Sequence, residues 1–189
     1  MIDRLLGLAT GRRVLVALVL LGVGGRALFL LGPYPALKRL APPFPLPEET
    51  TTAIPELRAF LEHLGSSGRE VYAAFQWWDM LNPVLVAVAG TLLVSWLINR
   101  AGHQRRIWRY AAMLPLLAAV ADVAENLLLR AAIVAHPELP AMAVLLPSVT
   151  KAKLLGLMLT VPIAIGLSFA AIVRAARARM RRPPAGQHP

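Results

Sequence analysis

The 189-residue chain is 57% hydrophobic, has a formal net charge of +10 and contains no cysteine. Its mean hydropathy of +0.60 exceeds what a soluble domain of this size sustains, which points to an integral membrane protein. Without thiols there are no disulfides, thiolate metal sites or cysteine nucleophile, and the basic residues cluster beside apolar runs, which argues against nucleic acid as a partner.

Residues 14–31 form the first apolar run, long enough to cross the hydrocarbon as a helix. Arg12 and Arg13 precede it as they would a cleaved leader. No small-x-small site closes the run, however, and it continues past Arg26 as ALFLL, so a retained helix is expected. An outer loop follows at 32–70. Its first part, PYPALKRLAPPFPLPEE, is proline-rich and expected to be extended or irregular. Its second part, IPELRAFLEHLG, places Leu57, Phe60, Leu61 and Leu64 on one helical face, with Gly65 fitting a C-cap. A loop of this kind is expected to rest as a lid on the bundle mouth. Ser67 and Glu70 stand at capping-box spacing and open the second membrane helix, about 71–98. The third spans about 107–134 and the fourth about 154–173, where Pro162 and Gly166 are expected to kink or thin the helix. Residues 1–182 thus read as a single all-α transmembrane four-helix bundle without internal repeats, and 183–189 as a disordered tail.

Lysine and arginine set the orientation. Arg4, Arg12 and Arg13 precede the first helix, Arg100, Arg105, Arg106 and Arg109 join the second to the third, and Arg174, Arg177, Arg179, Arg181 and Arg182 follow the fourth. These groups share one side in a four-helix topology, so both termini are expected in the cytoplasm, and 32–70 and 135–150 outside. Trp77 and Trp78 would form one interfacial belt, Trp96 and Trp108 the other.

Ionisable residues inside the spans carry the functional argument. Asp122, Glu125 and Asn126 lie at i, i+3 and i+4 and share one helix face. Ala111, Ala118 and Ala119 below them permit close approach of another helix. At 1.5 Å per residue, Arg26 and Asp122 sit at a common depth of about 20 Å from the basic side, whereas Asp79 and Lys153 lie about 32 Å from it. Arg26, with Gly22 one turn below, is therefore the expected partner of Asp122 or Glu125, and Arg130 the next candidate. Lys153 or Lys151 is the expected partner of Asp79 at the outer rim. A carboxyl at such depth suits acid–base work, which makes Asp122 and Glu125 the candidate catalytic groups.

Other chemistry is disfavoured. The D-x-x-E pair lacks the roughly six oxygens of a hard-cation site, and His63, His103, His136 and His188 lie in loops or the tail, so no metal and no cofactor is expected. Ser148, Thr150 and Ser168 have no neighbouring base to activate them.

The ordered set GREVY (Gly68, Arg69, Tyr72), Asp79 with Pro83, ADVAEN (Asp122, Glu125, Asn126) and SVTKAK (Thr150, Lys153) resembles a family of uncharacterised four-helix integral membrane proteins. The match covers about residues 60–155. The resemblance implies the fold and the site positions, Arg69 among them, and it adds Tyr72 and Thr150 to the charged layer. It implies no activity.

The expected function is an outward-opening intramembrane polar pocket that binds a lipid-like or amphipathic molecule. Its ligand-binding residues would be Arg26, Arg69, Tyr72, Asp79, Asp122, Glu125, Asn126, Thr150 and Lys153. Alternatives are a lipid-modifying membrane enzyme, a small proton-coupled transporter acting as a homodimer, and a purely structural protein. Membrane lipids are the expected partners.

Overall fold

A threonine opens the first helix. Thr10 accepts the backbone N–H of Arg13 at 3.4 Å and caps α1, Gly11–Leu31. The computed structural model describes residues 6–102 and 106–180. The expected tail at 183–189, the basic residues Arg4, Arg105, Arg181 and Arg182, and His103 and His188 lie outside the described residues. Val14, Ala17, Gly25 and Leu28 form the buried face of α1, which packs along α4.

The segment after α1 folds back onto the bundle through a short helix, α2 (Tyr34–Leu40), and a 3-10 turn at Pro47–Glu49. Glu49 pins the turn, accepting hydrogen bonds from Tyr34 Oη and Lys38 Nζ, both at 3.1 Å. The proline-rich stretch is therefore ordered by an ion pair and partly helical. In α3 (Ile54–Asp79), the Glu56 carboxylate accepts the N–H of Ala53 at 3.1 Å, and Pro55 needs no N–H in the first turn. The helix breaks at Gly65, whose φ of +63° a residue with a Cβ rarely adopts, two residues before the expected cap at Ser67. Leu57, Phe60, Leu61 and Leu64 are all buried, as their spacing requires.

Prolines set the remaining breaks. Pro83 has no N–H to offer the carbonyl of Asp79, and the chain turns at Met80 between α3 and α4 (Leu81–Ala101). Gly102 closes α4 in a left-handed conformation, φ +72°, donating its N–H to Ile98 and Asn99. Pro115 likewise cannot bond to Ala111, so the expected single helix 107–134 is two, α5 (Arg106–Ala111) and α6 (Leu114–Ala135). The last helix, α7 (Leu146–Met180), follows a 3-10 turn at Ala141–Leu145 and starts well before the expected residue 154. It passes Pro162 and Gly166 as one continuous helix.

Among the described residues, four stretches are long and apolar enough to cross a membrane: Gly11–Leu31, Ile54–Ala101, Ile107–Ala135 and Ala141–Met180. No strand occurs among the described residues. α6 packs most extensively on α7, and α4 touches α1, α6 and α7. Glycine permits close contacts of α6 with α7 and with α4: a Cβ on Gly156 would stand 2.9 Å from the Ala118 Cβ, and one on Gly90 2.6 Å from Pro115. In lipid, where burial of apolar surface gains little, such close approaches supply much of the helix association. Leu155, Met158, Ile165, Phe169 and Ile172 stay exposed along α7, an apolar surface suited to lipid.

The interior has two apolar cores. At the loop end, Leu37, Leu46, Leu57, Phe60, Leu61, Leu129 and Leu146 pack together. At the opposite end, Val94, Leu97, Ile98, Ala112 and Leu167 do so. The polar residues of α6 and α7 fall between these cores in sequence and in space.

Candidate functional site

The contact of Gly156 with Ala118 sets the register of α7 against α6. The two helices run antiparallel, so one turn from this contact brings Lys153 opposite Asp122, and a further turn brings Thr150 beside Glu125. Lys153 Nζ lies 3.4 Å from Asp122 Oδ1 and donates to Glu125 Oε2. The Thr150 hydroxyl contacts Glu125 Oε1 and lies 3.0 Å from the carbonyl of Leu146. Asn126 donates from Nδ2 to Asp79 Oδ2 at 3.1 Å, which ties α6 to the kink that Pro83 creates.

The loop completes the arrangement. Tyr72 donates its hydroxyl to Glu48 Oε2 at 2.7 Å, and Lys153 donates to the backbone carbonyl of Glu48 at 3.3 Å. Four contacts, joined by the α3 backbone between Tyr72 and Asp79 and by the α6 backbone between Glu125 and Asn126, complete a ring: Glu48, Tyr72 and Asp79 on α3, Asn126 and Glu125 on α6, Lys153 on α7, then Glu48 again. Glu125 and Asn126 are fully buried, while Asp122 keeps 13% of its side chain exposed. Burial pushes the Glu48 carboxyl up to about 7, opposed by its hydrogen bond from Tyr72.

Several sequence-based expectations are corrected by this geometry. Arg26 does not meet Asp122 or Glu125. It is exposed on α1, because the inward face of that helix runs through Gly25 and Leu28. Gly22 is exposed too, with open space where a Cβ would stand. Lys153 takes the place expected for Arg26, so the two charged levels are one. Asp79 bonds Asn126 and not lysine, and Lys151 is exposed. Arg69 lies apart from the ring: its Nη1 donates to the carbonyl of Leu61 at 3.0 Å and braces the Gly65 break. Arg130 donates to Ala73 and covers the Trp77 ring at 4.6 Å.

Two residues of the cluster escaped the sequence reading. Glu48 belongs to a loop, and nothing local distinguishes it from Glu49 beside it. Gln76 is fully buried, and its position midway between Tyr72 and Asp79 on one face of α3 is a usable signal. No group of three or more His, Cys, Asp or Glu suited to a metal ion occurs among the described residues.

The cluster is closed in this structure, where an outward-opening pocket was expected. Tyr72, Asp79, Glu125, Asn126, Thr150 and Lys153 are buried beneath the Pro47–Glu49 turn, with Glu48 and Asp122 half-buried at its margin. Open grooves lie elsewhere, one of about 590 Å³ between α1 and α4 lined by Arg13, Val16, Leu20, Leu85 and Val88.

Fold and site together define an all-α, multi-pass membrane protein with a loop-capped polar layer between two apolar cores. Comparison with protein-family models, curated proteins and solved structures finds no match.

Proposed function

We propose that this membrane protein binds a lipid-like, amphipathic molecule whose polar end enters the ring between α3, α6 and α7. In this reading the segment 32–53 is a lid that opens the pocket outward, and both termini are cytoplasmic, as the distribution of lysine and arginine favours. One observation carries it: Glu48, from outside the membrane spans, reaches into the charged layer. An ion pair that served only to fix helix register would be complete with Lys153, Asp122 and Glu125. A loop carboxyl in the same layer makes its closure depend on a segment that can lift without dismantling the spans.

Mass spectrometry of molecules retained by the purified protein tests this reading, comparing wild type with Lys153→Met and Glu48→Ala. A defined amphipathic species in the wild type, depleted in both variants, supports it. The same bulk lipid mixture in all three refutes it. A second reading, acid–base chemistry on a lipid, draws support from the Thr150 hydroxyl resting on Glu125 beside Lys153. A chemically altered lipid pool in a strain lacking the protein would favour that reading.

A further inference from the structure

The ring and the adjoining Asp122 hold four carboxyl groups, Glu48, Asp79, Asp122 and Glu125, against one cation, Lys153. Lys153 serves Asp122 and Glu125. Among the described residues, no cation pairs with Asp79 or Glu48. The neighbouring basic groups are engaged or turned away. Arg69 holds the Leu61 carbonyl, Arg130 stacks on Trp77, Lys38 pairs with Glu49 and Lys151 is exposed.

Unpartnered polar atoms mark the same layer independently of charge. Glu48 Oε1 and Asn126 Oδ1 are buried acceptors without a donor, and both belong to ring members. Gln76 has neither its Oε1 nor its Nε2 partnered and is 0% exposed, one turn from Tyr72 and one from Asp79 on the face that bonds into the ring. Buried polar groups in native structures are normally paired, so these orphans describe what the layer would receive. The carboxyl excess and the three orphan acceptors call for donors and positive charge, and Gln76 Nε2 for one acceptor. An anionic head group would bring further acceptors and a further negative charge. A neutral hydroxyl would donate to one orphan and accept from Gln76 Nε2, but it would bring no counter-charge to Asp79 and Glu48. An ammonium has three donors, no acceptor and the missing charge.

We propose that the ligand is an amphipathic amine, held as its ammonium with Asp79 and Glu48 as counter-charges and with Asn126 Oδ1 and Gln76 Oε1 as further acceptors. This rests on the reading of the cluster as a binding site for an amphipathic molecule. The apolar tail would lie along the bundle within the bilayer.

The test uses the full chain in phosphatidylcholine nanodiscs, with tryptophan fluorescence as the signal, because Trp77 and Trp78 lie between Gln76 and Asp79. The probes are dodecylamine, dodecanoate, dodecanol and ammonium chloride. Saturable dodecylamine binding is expected, about tenfold or more tighter than dodecanoate or dodecanol. Asp79→Asn should weaken it by a similar factor while keeping the apo unfolding temperature, because the new amide oxygen still accepts from Asn126. Glu48→Gln, outside the helices, should weaken it in the same direction and keeps the test decisive if the first variant does not fold. Equal affinity for dodecylamine and dodecanoate would overturn the amine assignment and leave an amphipathic site standing. Displacement of dodecylamine by ammonium chloride at equal concentration would place a small cation there and overturn the amphipathic part. No saturable binding of any long-chain probe would remove the amine and the binding site together.

Discussion

Replacing Lys153 by methionine keeps the aliphatic stem and removes the cation that, among the described residues, pairs with Asp122 and Glu125. In the wild type Nζ contacts Glu125 and stands 3.4 Å from Asp122, with 9% of the side chain exposed. Breaking such a buried pair from one side leaves the carboxylates uncompensated, a loss of about 3–5 kcal/mol. That is a large fraction of the roughly 5–15 kcal/mol that holds a domain folded. Arg26→Ala, on an exposed residue outside the cluster, should cost no more than about 0.5 kcal/mol. Reversible unfolding in a bilayer mimetic, followed by circular dichroism, measures both. The double variant Lys153→Met with Glu125→Gln should recover part of the loss, because it removes the uncompensated charge and leaves an amide oxygen for Thr150. A Lys153→Met protein as stable as wild type, alongside a strongly destabilised Arg26→Ala protein, would refute the assignment of Lys153 as the counter-ion.

Further outcomes follow from the loop and the glycines. Glu48 titrates near 7 when docked against an ordinary 4.5 when free, so docking is strongest below about 4.5 and weakens as pH rises through 7, by at most about 3 kcal/mol. In this cysteine-free chain, thiol labelling of Thr52→Cys, buried in the docked loop, should speed up between pH 5 and 8 by more than an exposed thiol does, and Glu48→Gln should remove that excess; an unchanged excess would remove Glu48 as its source. Gly156→Val should destabilise by about 1–3 kcal/mol, since it would drive α7 from Ala118, whereas Gly166→Ala, with nothing within 4 Å, should be neutral or gain up to about 1 kcal/mol of helix propensity; unfolding free energies that reverse this order would contradict the packing. A reporter active only in the cytoplasm should work when fused at Gly102 and fail within 42–50, and the opposite pattern would invert the proposed orientation.

Much of this architecture is written locally in the chain. The apolar runs announce four spans because only a helix satisfies its own backbone in hydrocarbon, and the amphipathic spacing of Leu57, Phe60, Leu61 and Leu64 announces the buried face of the outer helix. Asp122, Glu125 and Asn126 are legible as one face from periodicity alone, and the small residues below them do mark the side on which another helix approaches. Depth was legible too, and it misled. Counting 1.5 Å per residue places Arg26 level with Asp122, but a residue's azimuth turns by about 100° per position, and Arg26 falls one residue outside the inward face of α1. Which helix lies beside which is likewise absent from any single segment. α7 meets α6 through Gly156 and Ala118, and that contact delivers Lys153 to Asp122 and Glu125. The early start of α7 went unseen because Lys151 and Lys153 lower the apolar signal over the turns that carry the site. Glu48 depended wholly on tertiary structure. Its place in the layer is fixed by contacts with Tyr72 and Lys153, distant along the chain, and a non-local contact leaves no periodic trace in the sequence around it.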